Sequence, residues 1–455
     1  MTKQYDVIIV GAGPAGLMVA RTVAAHGLSV LLADVKKDFS RVFRSCCCNL
    51  IIEPGTHKET ATYEGGRICF AENRFSVPYS GTVIPLKNSF KISPGGKTIK
   101  INGKSPEGNV AISYEKEVLL QDFFSRITAL KNVEILSETQ GIAVENLKAG
   151  VKVTLRTRTG LFTARGRIAV AADGVNSKLV QSLGLNESRR KFFARFRVAS
   201  FHMEQVDCPY PHSWITFVGT GHTQGRRGQL YMCPKPHEKK TDPPVYELTI
   251  GIPIVPNLPG FVPEDELTYF TTRGRFASWF KNMKIVDTRA ASLNFYTPLV
   301  NPIEGNVVAV GDAAAFIETY VQGGVMYGYQ AGNAIVKYLA TGKGLEDYAA
   351  AWGESFEYNK PDEIKQATQG FGLHVLKDDD IDYLFSLTRG DEISGYVNEF
   401  SDPVTVRTAL LNHFEQIKRD RPALAVKLER FKDVSVHDAL PVSYTHLTLP
   451  TILRV

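Results

Sequence analysis

The chain has 455 residues, 44% of them hydrophobic and 22% charged, with 38 glycines, 23 prolines and a formal net charge of +6. That composition is globular and long enough for two or three cored domains, and it excludes a disordered or fibrous chain. The positive charge is thinly spread and no apolar run reaches the roughly twenty residues of a membrane span, so nucleic-acid binding and a transmembrane segment are both excluded at this level.

The chain opens on "YDVIIVGAGPAGLMVARTVAAHGLSVLLAD". The run Val7 to Val10 is too short and too β-branched for a helix, and it breaks into glycines, which predicts strand, turn, helix, strand. Gly11 permits the tight turn, and Gly13 lets a pyrophosphate approach the backbone. Pro14 and Ala15 start the helix, and Gly16 lets that helix pack closely on the strand. The helix N-terminus offers N–H groups to an anion, and Asp34 ends the second strand where a carboxylate can accept ribose hydroxyls. The unit predicts a dinucleotide site. With no signal peptide ahead of it, a cytoplasmic protein is expected, at most peripheral on a membrane.

Next comes "RVFRSCCCNLIIEPG", which places Cys46, Cys47 and Cys48 together in a chain with six cysteines in all. Neighbouring cysteines do not bridge without strain, and three in a row lack the separated spacing of a metal site, so reduced thiols are expected. Burial as small apolar residues is the plain alternative to a chemical role.

Further on, "RIAVAADGVNSKL" runs a strand into Asp173-Gly174, and "NVVAVGDAAAFIETYVQGGVMYGYQAGNA" runs another into Gly311-Asp312 and then a glycine-bearing helix start. Either aspartate alone could be a structural strand end. In this order the three stretches resemble the FAD fingerprints of the p-hydroxybenzoate hydroxylase-like flavoproteins. The resemblance implies resident FAD, with Asp173, Gly174, Gly311 and Asp312 along it and the helix from Gly323-Gly324-Val325 aimed at the flavin ring. A helix N-terminus there would stabilise the anionic reduced flavin. No second glycine-rich dinucleotide unit follows, so a nicotinamide donor would bind only in passing.

Within that superfamily the chain is most similar to the geranylgeranyl reductase family, over all but its last residues. The family's pattern of an acid, a polar loop and a cysteine beside the flavin falls on Asp34, Arg44 and Cys46. Arg44 would offer a cation to the pyrophosphate or the substrate side. Cys46, with Cys47, would supply the proton that accompanies hydride transfer to a carbon-carbon double bond, since a thiol of ordinary pKa, about 8.5, keeps its proton at neutral pH. Departures are visible: Thr319 and Gln322 replace a family proline and glycine, the family arginine near "LLQDFFSRI" is missing, and the substrate-side signature is reduced to "QLYMCPK".

The fold class expected is α/β: a Rossmann-like FAD-binding domain with a parallel sheet, an antiparallel β substrate domain, and a C-terminal helical region. The FAD domain comprises 1–60, 115–188 and 296–345, the substrate domain 61–114 and 189–295, and the helical region 346–440. Residues 441–455 are expected to be a non-native tail, because Val442 to Thr451 matches the translation of a sequencing-library adapter. The resemblance implies an FAD-dependent reductase of an isoprenoid or other apolar substrate, with NAD(P)H or ferredoxin as transient donor. A monooxygenase of an aromatic or polyketide-like substrate and a non-catalytic electron carrier are the alternatives. The basic-aromatic run Arg189 to Phe193 is a candidate peripheral membrane contact.

Overall fold

In the computed structural model the described residues are 4–430, apart from 47, 191–194, 227, 238–239, 255–261, 295, 316–318, 361–372 and 374–375. The expected tail, 441–455, lies outside them, as does Cys47.

The first sheet has eight strands. Val133–Leu136, Val30–Ala33, Gln4–Val10, Gly160–Ala171 and Val307–Ala309 run parallel in that spatial order. The strand Gly160–Ala171 is long enough to serve twice. Its second half completes the parallel sheet, and its first half turns back against Val151–Thr157 and, through it, Gln140–Asn146 as antiparallel ribbons. Val7, Ile8 and Ile9 are fully buried, as an unbroken apolar run must be when both faces of a parallel sheet are covered. Helix α1 (Pro14–Ala25) packs against a later helix, which with the helices between them is numbered in chain order: α2 (Lys116–Thr128), α3 (Lys178–Ser182), α4 (Pro263–Thr272) and α5 (Tyr320–Thr341).

The second sheet also has eight strands, ordered Lys284–Leu293, Arg195–Glu204, Lys240–Ile254, Gln229–His237, Ser213–Phe217, Asn88–Ile92, Thr98–Gly103 and Ile393–Gly395. Alternation along each strand sorts its side chains onto two faces. Ala199, Phe201, Met203, Ile215, Phe217, Met232, Leu248 and Ile250 form a core beneath α4, whereas Phe196, Val198, Trp214, Thr216, Tyr231 and Thr249 line a cavity on the other face.

Two parts of the outline differ from expectation. Of the insertion 61–114, only Asn88–Ile92 and Thr98–Gly103 join the second sheet; Ala61–Glu64, Arg67–Phe70 and Phe75–Pro78 make a separate small sheet packed on the first core, with Phe75 stacked on Tyr329 of α5 at 4.0 Å. The C-terminal region holds α6 (Leu345–Ser355), α7 (Asp378–Leu387) and α8 (Ser401–Leu411), but it also returns Ile393–Gly395 as a parallel edge strand on Thr98–Gly103. That strand ties the helical region to the second sheet.

Candidate functional site

A cavity of about 540 Å³ opens where the parallel strands end. Gly11 has φ +105°, and a side chain there would collide with the Ala172 carbonyl at 2.1 Å, so the tight turn admits glycine alone. At Gly13 a Cβ would meet nothing within 4 Å, because that side faces the open cradle. Gly13 is the N-cap of α1, with Pro14 following it, and no side chain caps the helix. Its N-terminal N–H groups are therefore offered to a ligand, the arrangement that suits a phosphate. A Cβ on Gly16 would lie 1.9 Å from the Gly11 carbonyl oxygen, which makes its role close packing. Asp34 Oδ2 accepts the Ala12 N–H at 2.5 Å and Oδ1 the Lys36 N–H at 2.8 Å, which fixes the carboxylate at the cavity wall. This cradle fits a dinucleotide.

Across the cavity, Asp173 accepts from Ser177 Oγ at 2.5 Å and from the Lys178 N–H at 2.8 Å, so it also anchors the start of α3. Burial pushes its carboxyl up, with those hydrogen bonds acting against the rise. Gly174 lines the same wall. Gly311 has φ +65°, and Asp312 pairs with Arg44 at 2.6 Å while accepting the Thr319 N–H at 3.1 Å. Arg44 therefore sits on the third fingerprint rather than on the cradle of the first.

The helix α5 requires a correction. Gly324 lines the cavity, but Gly323 and Val325 do not. The missing Cβ of Gly323 makes room for the His57 ring, which a methyl would approach to 2.8 Å, and Val325 is 1% exposed in the core. Gln322 turns from the cavity to the backbone of Ile51, accepting its N–H at 2.7 Å and donating to its carbonyl at 2.9 Å. Glycines 328 and 332 lie against Ala15 and Thr22 of α1. Much of this glycine pattern serves the crossing of two helices.

A second cavity, about 260 Å³, lies under the second sheet. Its walls come from six adjacent strands, from Leu293 across to Lys91, and α8 closes it with Pro403 and Val406. Five strand-to-strand steps span about 24 Å. The lining runs the breadth of those strands, which makes the cavity an elongated channel. Arg44, Cys46, Leu293 and Tyr320 line both cavities and mark their junction.

Cys46 is 7% exposed there, with Lys116 Nζ at 3.6 Å from its sulfur. A hydrogen bond from the Cys48 thiol, joined by the charges of Lys116 and Arg44, holds Cys46 well below the usual thiol range against the opposing effect of burial. Cys48 moves the other way: its bond to Cys46, burial and the Cys46 charge push it well above that range. Burial is the largest influence on the Lys116 ammonium and would lower it, but the charges of Cys46, Cys48 and Asp312 together leave a net upward shift. Cys46 therefore lies in a setting that favours its thiolate, and Cys48 in one that favours its thiol, where an ordinary thiol was expected. Lys116 was missed because the family's arginine was sought at the start of the helix matching "LLQDFFSRI", whereas α2 begins three residues before that stretch, with a lysine at its first position.

"QLYMCPK" is the strand Gln229–His237, with Gln229 and Tyr231 in the channel and Cys233 buried beneath it. Lys235 reaches Asn49 Oδ1 at 3.4 Å and Glu247 Oε2 at 3.5 Å. Arg189, proposed from sequence for a membrane surface, turns inward to donate to the carbonyls of Thr297 at 2.5 Å and Ala315 at 2.6 Å. Lys191, Phe192 and Phe193 lie outside the described residues. No described helix is long and apolar enough to cross a membrane.

Comparison with known proteins agrees with this geometry. Residues 4–51 match the FAD binding domain family. The chain is similar to a digeranylgeranylglycerophospholipid reductase of Methanocella arvoryzae, 25% identical over 379 residues, covering 79% of this chain and 86% of that one. Among solved structures, a geranylgeranyl bacteriochlorophyll reductase-like protein from Thermoplasma acidophilum superposes with a TM-score of 0.66 at 15% identity, over 94% of this chain and 99% of that one. A p-nitrophenol 4-monooxygenase from Pseudomonas putida superposes with a TM-score of 0.58 at 13% identity, over 97% and 96%. Such structural likeness carries the fold, which both chemistries share. The cofactor is FAD and the chain is an FAD-dependent oxidoreductase.

Proposed function

We propose that this geranylgeranyl reductase-family flavoprotein reduces carbon-carbon double bonds in an isoprenoid or similarly elongated apolar substrate. The observation that carries the reading is the elongated channel, which spans six strands and meets the cofactor cavity at a buried cysteine. A chain molecule fits such a space better than a fused aromatic system, and the relatives named for lipid reduction point the same way.

The α1 N-terminus with Gly11 and Gly13 would hold the pyrophosphate, Asp34 the ribose, and Asp173, Gly174, Gly311, Asp312 and Gly324 the remainder of FAD. When bound and reduced, FAD supplies a hydride to one carbon of the double bond. The other carbon needs a proton, and among the residues that line both cavities, Arg44, Cys46, Leu293 and Tyr320, Cys46 is the proposed donor. Cys46 would relay a solvent proton to that carbon and return to the thiolate, which the Cys48 hydrogen bond and the Lys116 charge favour. The apolar walls exclude water from the reacting carbons meanwhile.

An apolar substrate of this class resides in a bilayer, so the reading implies a peripheral encounter with membrane, and NAD(P)H or ferredoxin as a transient donor. The test is the mass of the product formed from a polyprenyl substrate by the reduced enzyme without oxygen. Gain of two hydrogens, lost in Cys46→Ser, is expected. A product that forms only in oxygen and gains one oxygen atom would overturn the reading in favour of a monooxygenase.

A further inference from the structure

The far end of the channel differs chemically from its walls. Lys91, on the strand Asn88–Ile92, and Asp402, in the first turn of α8, form an ion pair at 2.5 Å with side chains 5% and 18% exposed. Lys91 Nζ also donates to Thr216 Oγ1 at 3.3 Å, an oxygen that already accepts the Trp214 indole N–H at 2.9 Å. The second carboxylate oxygen, Asp402 Oδ1, is buried and has no hydrogen-bond partner among the described residues. All four residues line the channel. A buried carboxylate oxygen left unpaired is unfavourable, so its persistence at a cavity wall points to a ligand.

Three kinds of group could fill this end. A hydrocarbon terminus would displace water from the ion pair and offer Asp402 Oδ1 nothing, which raises the cost of an already desolvated charge. A diphosphate or carboxylate would bring negative charge against Asp402, while the Lys91 charge is already matched by that carboxylate. A neutral hydroxyl satisfies both partners. Its hydrogen can go to Asp402 Oδ1 and its oxygen can accept the ammonium N–H that Asp402 and Thr216 leave over.

We propose that Lys91 and Asp402 form a head-group subsite for an uncharged hydroxyl, so the substrate is a chain alcohol with its hydroxyl at this end and its double bond at the junction. The subsite rests on the reading of the channel as the substrate site. It makes Lys91 and Asp402 determinants of specificity, and it gives the channel a direction that its apolar walls do not supply.

The test is binding to the FAD-loaded, oxidised enzyme, read by the fluorescence of Trp214 with Trp214→Phe as the control for the other tryptophans. The probes are geranylgeraniol, geranylgeranyl diphosphate and phytane, each at matched detergent concentration. The alcohol should bind at least about tenfold more tightly than either competitor, the scale of one hydrogen bond to a charged group. Asp402→Ala should erase that preference, with phytane still bound as evidence that the channel survives. Equal or tighter binding of the diphosphate or phytane to the unsubstituted protein would overturn the subsite, and needs no variant to fold. Binding is independent of turnover: tight, hydroxyl-selective binding without reduction of the alcohol would sink the reductase reading alone, whereas reduction of the alcohol and the diphosphate alike, without hydroxyl-selective binding, would sink the subsite alone.

Discussion

Lys116 Nζ stands 3.6 Å from Cys46 Sγ at the junction of the two cavities. A lysine on the first turn of α2 and a cysteine in the loop after the second strand are thus one electrostatic unit. The hydrogen bond from Cys48, with the Lys116 charge added to it, holds the Cys46 thiol well below its ordinary range. In the FAD-free protein, the rate of Cys46 alkylation by iodoacetamide should stay nearly level as pH falls from about 9 to 7, below the ordinary thiol value of about 8.5. Lys116→Met removes a cation that favours the thiolate but leaves the Cys48 hydrogen bond, so the rate should then fall more over the same interval than in the parent. Peptide mass mapping assigns the site, and a wild-type rate that drops tenfold per pH unit would show that the thiolate is not formed.

Gly328 concerns the meeting of α1 and α5. A Cβ there would come within 2.6 Å of the Ala15 carbonyl and 2.9 Å of Met18 Cβ, and the first of these is backbone that cannot step aside alone. Gly328→Ala should destabilise the protein by about 1–3 kcal/mol, the usual cost of overpacking. Because Ala15 belongs to the first turn of the phosphate cradle, FAD affinity should weaken with it. Thermal unfolding with and without FAD checks both. Unchanged stability would mean that the helices are not in close contact there.

These two positions mark what the sequence discloses. Gly11, Gly13, Gly16 and Asp34 are legible because their work is local: a turn, an open approach and a strand end within one strand-turn-helix-strand unit. Gly323 and Val325 are not, since glycines in a helix look alike whether they admit a ligand, a histidine ring or a neighbouring helix. Lys116 and Cys46 are 70 residues apart, and Lys91 and Asp402 are 311 apart. Such pairs follow from how strands are ordered across a sheet, and no local period carries that information. The face-by-face alternation of the second sheet was legible, and it places Trp214, Tyr231 and Thr249 in the channel once the strand order is known.

Glu247 is fully buried, 3.5 Å from Lys235, and accepts the Thr249 hydroxyl at 3.2 Å. Lys235→Met would leave that carboxylate without its cation, and loss of one partner of a buried pair costs about 3–5 kcal/mol. The double substitution Lys235→Met with Glu247→Met should be much milder, because no charge then remains to be buried. Urea unfolding of the single and double variants measures the difference. A single variant as stable as the parent would show that Glu247 is protonated or solvated and that the pair contributes nothing.

The pair His57 and Glu357 gives the clearest pH dependence. Glu357 accepts His57 Nδ1 at 2.6 Å and the His57 N–H at 2.6 Å, while His57 Nε2 lies 3.1 Å from the Thr319 carbonyl at the start of α5. Burial acts to raise the Glu357 carboxyl, yet the His57 charge and hydrogen bonds outweigh it, and the net shift is downward. A carboxyl whose pKa is lower in the folded than in the unfolded chain stabilises the fold fully above its unfolded value, about 4.3, and loses that contribution as pH falls toward the folded value. The Glu357 contribution should therefore be full above about pH 4.3 and decline below it. Glu357→Gln keeps the shape but removes the ionisation, so it should lower stability at pH 7 and flatten the acid limb. Unfolding free energies of parent and variant from pH 3 to 7 provide the comparison. If the gap between them is as wide at pH 3 as at pH 7, the carboxylate charge does not hold His57, and the tether between this loop and the start of α5 depends on packing alone.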